Sequence, residues 1–341
     1  MTSPWTEFLT REGAHIEDTS IRFATTEAVL PHDATVAVPL LHLGLIRSTG
    51  ADSAPFLHNL LSNDVKKLPD DAAQWNSFNT PKGRMLASML LWHEAEGHML
   101  ALSADIHAAI LKKLSMYVLR SKVALGDAGN DTALVGVSGP RAEAALTAAG
   151  LTPPTTPMHV ATAGSTRCIR LADTTFVVVL PVAEAARIYA LLVDGGAARA
   201  GTSAWQLAMI RAGFPLITAS TQEEFVAQML NYEIIGGVSF HKGCYPGQEI
   251  VARTQYLGKL KKRMYRVHVS AEQAPLPGAD IFTPEFGEQS AGKIVNVAPS
   301  PDGGYEALAV MQMTCAEADD ARLGSPTGPK LEFLDLPYAL T

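Results

Sequence analysis

The chain has 341 residues, 47% of them hydrophobic and 18% charged, and a formal net charge of -7. That composition excludes a disordered chain, and the length predicts two or three domains with ample core, so no metal or disulfide is needed for stability. The acidic balance excludes broad, non-specific DNA binding and leaves RNA only a local basic patch.

The N-terminus, Met1-Thr2-Ser3-Pro4-Trp5, has no basic region followed by an apolar stretch, and no segment has the apolar length of a bilayer span, so the expected home is the cytoplasm with no membrane partner. Residues 35–45 are apolar and branched enough for a strand, after which Asp52 or Ser53 caps a short helix through Leu61. Residues 74–79 and 85–92 read as two strands joined at Pro81-Lys82-Gly83, a β-hairpin. A strand at 98–102 precedes a helix at 105–117, where Ile106, Ala109, Ile110 and Leu114 recur at helical spacing. Further strands are predicted at 133–137, 166–171 and 175–180, with helices at 140–149 and 182–194. This is an α+β or mixed α/β pattern without sequence repeats. Character changes near 255. Short alternating stretches at 264–269, 291–297 and 305–310, separated by Gly, Pro and Asp, predict a small all-β C-terminal barrel.

The chemistry concentrates in Lys242-Gly243-Cys244-Tyr245-Pro246-Gly247-Gln248-Glu249. Two glycines and a proline make this a loop or an element boundary, and such loops carry function. A thiol acts as thiolate, a form that a nearby cation favours, which gives Lys242 the role of activator for Cys244. The other cysteines, Cys168 and Cys315, fall in or beside strand patterns and are expected to be structural. No CxxC occurs, so no stably bound metal is expected. Gln248 and Glu249 either read a ligand's donors or serve a helix N-terminus. Arg253, Lys259, Lys261, Lys262 and Arg263 form a cationic run that is either a solvated surface or a receiver of anionic ligand or RNA. Trp205 is either core or a flat stacking surface. No GxGxxG, Walker, HExxH or GxSxG sequence occurs.

KGCYPGQE at 242–249 resembles the signature K-G-C-[FY]-x-G-Q-E of the YgfZ family. Arg211-Ala212-Gly213-Phe214-Pro215, Gly236-Gly237-Val238-Ser239-Phe240, Leu61-Ser62-Asn63-Asp64-Val65 and Pro81-Lys82-Gly83-Arg84-Met85 are similar in order and spacing. That family resembles the aminomethyltransferase of glycine cleavage. The resemblance implies a three-domain ring with two interleaved, ferredoxin-like α+β domains over 1–255, an inserted unit near 50–130, and a C-terminal β-barrel over 256–341. It implies a tetrahydrofolate or related folate, with Trp205 matching a tryptophan the family uses near it. A pterin edge needs hydrogen-bonding groups, for which Gln228, Asn231 or Glu249 are candidates, and the anionic glutamate tail needs a cation, for which Arg253 or Lys259 is a candidate. It also implies an accessory role in maturing or repairing [4Fe–4S] proteins, and thereby in tRNA thiolation, with Cys244 as the functional thiol and a transient iron or sulfur contact. Partners would be iron–sulfur assembly proteins or radical cluster enzymes, with tRNA reached indirectly. Two departures bear on mechanism. Gly83–Ser88 lacks the carboxylate that aminomethyltransferases carry there, and Leu43 stands where the family has a tryptophan. A one-carbon transferase would therefore need Asp64 or Glu249 as its acid or base, and enzyme status stays open. A third alternative is direct tRNA binding by 253–263.

Overall fold

The structure is a computed structural model that describes residues 3–23, 33–256, 258 and 260–340. Among them the chain forms two compact units. Unit one comprises residues 1–54, 67–74 and 90–208, and unit two comprises 55–66, 75–89 and 209–341.

Unit one is built on a six-stranded sheet. Its order is Val160–Ala163, Thr166–Ala172, Thr175–Pro181, Thr132–Ser138, Val36–Pro39 and Ala198–Arg199. The last pair is parallel and the others are antiparallel. Thr175–Pro181 is buried along nearly its whole length and carries Thr175 and three consecutive valines, as suits a central strand. Helices Pro4–Arg11, Ala142–Ala148 and Val182–Asp194 contribute to the core beside this sheet, with Leu9, Leu146, Ile188 and Leu192 buried among Val135, Val137, Phe176 and Val178. Trp5 meets Tyr189 edge-on at 5.6 Å between ring centres.

A five-stranded sheet has the order Ala73–Asn79, Met85–Glu94, Gly97–Ser103, Leu43–Thr49 and Ala124–Asp127. The apolar stretch expected as one strand at 35–45 is two strands, Val36–Pro39 and Leu43–Thr49, in different sheets. A tight turn, with the Leu43 amide donating to the Leu40 carbonyl at 3.1 Å, re-aims the chain between them. The hairpin is present. The Thr80 amide donates to the Arg84 carbonyl (2.8 Å) and the Gly83 amide to the Thr80 carbonyl (2.9 Å).

The C-terminal strands of unit two form a six-stranded antiparallel sheet in the order Arg322–Leu323, Asp280–Phe282, Gly292–Pro299, Tyr305–Gln312, Lys262–Val269 and Leu331–Leu334. The sheet is curled. Its first strand is bridged at Arg322 to Lys330, the residue that leads into its last strand. Val267, Val269, Ile281, Ile294, Ala307, Ala309, Met311 and Leu331 fill the concave side.

Candidate functional site

Cys244 sits in unit two on a loop anchored from several directions. Upstream, Ser62 and Asn63 grip the approach. Ser62 Oγ donates to the Gly237 carbonyl (2.6 Å), and its carbonyl accepts from the Ser239 amide (3.0 Å). Asn63 Nδ2 donates to the Gly236 and Trp75 carbonyls at 2.7 and 3.0 Å. Ser62 also pairs with the strand Ala73–Asn79, receiving the Ser77 amide on its Oγ at 2.8 Å. The motif Leu61-Ser62-Asn63-Asp64 is thus a clamp between a strand and the loop.

Lys242 is only 7% exposed. Its ammonium donates to the carbonyls of His58 and Leu61, which close the C-terminal end of helix Ser53–Leu60, and lies 4.8 Å from the centre of the Tyr245 ring. A cation is the charge that a helix C-terminus favours. Burial lowers its pKa to about 8, with Lys66 adding to the fall and Asp64 opposing it. His58 Nδ1 lies 3.1 Å from Asp64 Oδ1, and burial followed by the Lys242 charge pulls the His58 pKa down. The expected activator of the thiol is therefore aimed at backbone carbonyls and an aromatic face.

Downstream, Gly247 and Gly83 meet backbone to backbone. Both have positive φ, +83° and +73°. A Cβ on Gly247 would lie 2.6 Å from the Gly83 Cα and 2.6 Å from the Thr80 carbonyl oxygen, closer than a methyl group tolerates. Helix Gln248–Tyr256 starts at once, with Glu249 exposed in its first turn, where a carboxylate suits the dipole, and Arg253 exposed in its last. Gln228 Nε2 fixes this helix by donating to the Val251 carbonyl at 2.6 Å. Between these anchors Tyr245 is buried while Gly243 and Cys244 are exposed. Cys168 and Cys315 are buried, and burial pushes the Cys168 thiol up to about 12.

The other candidates divide. Asn231 adopts a left-handed conformation at the end of the 3-10 turn Ala227–Leu230. Its Nδ2 donates to the Met264 carbonyl at 2.9 Å and its Oδ1 accepts from Arg263, so the carboxamide ties the turn to the C-terminal sheet. Gln228 keeps a buried Oε1 with no hydrogen-bond partner among the described residues. Trp205 belongs to unit one, in helix Thr202–Arg211, where it is 3% exposed and its ring packs on Gly136. Lys259 lies outside the described residues. The cationic run is broken up, since Arg263 is buried against Glu233.

Sequence reasoning missed a second polar group. Trp75, Ser77 and Asn79 alternate on strand Ala73–Asn79 and so share one face. The Trp75 Nε1, the Ser77 Oγ and both amide atoms of Asn79 are buried without a hydrogen-bond partner among the described residues. Buried polar groups are normally satisfied, so this face is suited to hydrogen-bond a polar ligand. The available signal was the polar alternation inside a strand pattern at 75–79. Strand Met85–Glu94 carries no carboxylate at 85–88, and Ser88 Oγ accepts the Ile217 amide at 2.8 Å.

Residues 23–234 match the family described as GCVT N-terminal domain. The aminomethyltransferase T of the glycine cleavage system from Bartonella henselae superposes with a TM-score of 0.79 at 17% identity, covering 99% of this chain and 98% of that one. The fold is therefore that of the aminomethyltransferases. The tRNA-modifying protein YgfZ of Yersinia enterocolitica (serotype O:8 / biotype 1B) is 30% identical over 301 residues, 87% of this chain and 90% of its own. The protein of the same name from Yersinia pestis (strain Pestoides F) is 28% identical over 327 residues, 93% and 98% of the two chains. The chain belongs to the YgfZ family.

Proposed function

We propose that this protein is a folate-binding accessory factor in the maturation or repair of [4Fe–4S] proteins, acting on tRNA modification through them, with Cys244 as its functional thiol. The observation that carries this reading is an exposed thiol on a loop held by the buried side chains of Lys242 before it and Tyr245 after it. A merely structural cysteine would be buried, as Cys168 and Cys315 are. A thiolate is the natural soft ligand for iron or sulfane sulfur, and a single one suits a transient contact. Among the described residues no cluster of three or more His, Cys, Asp or Glu is placed to hold a metal.

The folate part rests on the unpartnered polar groups of unit two. A pterin presents two donors and an acceptor along one edge of a flat ring. Gln228 Oε1 would accept, the Asn79 carboxamide would do both, and the Trp75 Nε1 would donate. These residues fit the group, and they would hold and orient it. Tetrahydrofolate, when bound, would supply one-carbon chemistry at its reduced ring. The aminomethyl-transfer alternative has less support. Asp64 is engaged by His58, and Glu249 is an exposed residue of a helix start.

Complementation of a strain lacking its own family member tests the thiol. Cys244→Ala and Cys244→Ser are expected to lose 2-methylthio tRNA modification and cluster-enzyme activity, and full restoration by both would sink the assignment. Calorimetry tests the folate. Tetrahydrofolate should bind, and Asn79→Leu and Gln228→Leu should each weaken it about tenfold, the scale of one lost hydrogen bond to a buried polar group. Absence of binding by the parent protein would remove that part of the proposal.

A further inference from the structure

After strand Leu331–Leu334 the chain leaves the C-terminal sheet of unit two as an irregular segment, residues 335–340. Arg266 Nη1 donates to the Asp335 carbonyl at 3.1 Å, and the Tyr338 hydroxyl donates to the Gly213 carbonyl at 2.8 Å. The Asn231 carboxamide hydrogen-bonds that same hydroxyl. Gly213 has φ +70°, and a Cβ there would lie 2.6 Å from the edge of the Tyr338 ring, so the ring fits only against a glycine.

Each partner of this hydroxyl leads to one arm of the polar group assigned to folate above. Phe214 follows Gly213 and packs on the Trp75 ring, 5.1 Å between centres and tilted by 43°. Trp75 carries the buried Nε1 with no hydrogen-bond partner among the described residues. Asn231 closes the 3-10 turn Ala227–Leu230, which holds Gln228 and its unpartnered Oε1. The flanks of the Gly213 turn are pinned separately. Arg211 pairs with the buried Glu306 carboxylate at 2.6 Å, and the Asn296 carboxamide closes on both the amide and the carbonyl of Leu216, at 2.9 Å each.

The Gly213 carbonyl and the Phe214 amide belong to one planar peptide, whose far corner is the Phe214 Cα. Tyr338 holds the carbonyl edge of that plane, and the Met209 carbonyl holds the amide edge at 3.0 Å. Glycine has the freest backbone of any residue, so with one edge released the plane could turn and carry Phe214 with it. An indole N–H is a directional donor, and a rotated ring loses its bond to a ligand. We propose that Tyr338 is a positioning residue for the candidate folate group, orienting Trp75 through the Gly213–Phe214 peptide and Gln228 through Asn231. For its ligand this rests on the folate reading above, and it needs no role for Cys244. A phenylalanine would serve for packing alone. The hydroxyl is the part that both donates and accepts, and so reaches both arms.

The test is calorimetry of tetrahydrofolate with the full chain, together with near-ultraviolet circular dichroism of Trp75, read as the difference between each protein and its Trp75→Phe version. Tyr338→Phe keeps the ring and removes the hydroxyl. It should weaken tetrahydrofolate binding about fivefold, the scale of one lost hydrogen bond, and change the Trp75 signal. Ile294→Val, on the concave side of the C-terminal sheet, is destabilising to a similar degree and should match the parent in binding and in the Trp75 signal. That control separates positioning from a general loss of stability. Parent-like binding by Tyr338→Phe overturns the inference, and so does equal weakening by Ile294→Val. If the parent protein binds no tetrahydrofolate, the folate reading falls and the Trp75 signal decides. Unchanged in Tyr338→Phe, it overturns this inference as well; changed, it leaves the link from Tyr338 to Trp75 standing.

Discussion

Lys242 shows how far one residue's role depends on where its head group goes. In the sequence it stands two places from a thiol and invites an activating role. In the structure it is a buried cap on helix Ser53–Leu60. A neutral amine still has two N–H groups, so both carbonyl contacts survive its deprotonation. Its pKa is lowered on folding, so between about 8 and the ordinary lysine value the unfolded chain binds more protons than the folded one. The Lys242 contribution to stability should therefore rise with pH through that window, read as the difference between the parent and a variant without the amine, while the raised Cys168 thiol acts in the opposite sense in both. Lys242→Met should lose about 1–3 kcal/mol from the two uncapped carbonyls at pH 7, and the gap to the parent should widen at pH 10, read by denaturant melts at both. Thiol titration with an alkylating reagent gives a second check at this scale. One fast equivalent, Cys244, is expected in the native protein, and Cys168 and Cys315 should react only on unfolding. Two fast equivalents would contradict the burial pattern.

At the scale of elements, the loop's geometry depends on two turns that have no side chains at their contact. Gly83 belongs to the hairpin and Gly247 to the thiol loop, and a Cβ on either would strike the other's surroundings. Gly236 also has positive φ but has open space around it, which makes it the control. Gly236→Ala should cost about 1 kcal/mol, the left-handed penalty alone. Gly247→Ala should cost about 1–3 kcal/mol more and should alter the alkylation rate of Cys244, since the anchor beside it must shift. Equal melting of the two variants would refute the close approach. The hairpin and the β-rich C-terminal segment were legible because each depends on local signals: a Pro-Lys-Gly turn, and alternation between turn residues; the helix after Gly247 stayed one of two readings of Gln248 and Glu249. The split of 35–45 between two sheets was not legible. Both halves are apolar, and only long-range pairing separates them. Trp75, Ser77 and Asn79 were overlooked for a similar reason. A strand's polar face looks solvated until tertiary structure buries it.

Across the whole molecule, every segment of unit one lies within residues 1–208, and its principal core runs from Trp5 to Ala197. A fragment of 1–208 should therefore melt cooperatively. It should also bind a hydrophobic dye more strongly than the full chain, because Phe56, Leu57, Phe78 and Met85 belong to unit two and would be left without its later residues. A fragment with no cooperative transition would show that unit one lacks independent stability. The signature residues were readable from the sequence, but their anchors were not. His58, Leu61, Thr80 and Gly83 carry no local mark of the partners they find far along the chain.

That separation has a consequence in time. Lys242 and the carbonyl of His58 lie 184 residues apart in sequence. On a ribosome adding about 5–20 residues per second, the helix end waits roughly ten to forty seconds for the ammonium that caps it. Until then the two carbonyls lack the ammonium that caps them. The thiol, made late, can reach its fixed position only after the early segment has survived that interval unfolded or sheltered. A nascent-chain stage that needs protection is thus written into the order in which this chain is made.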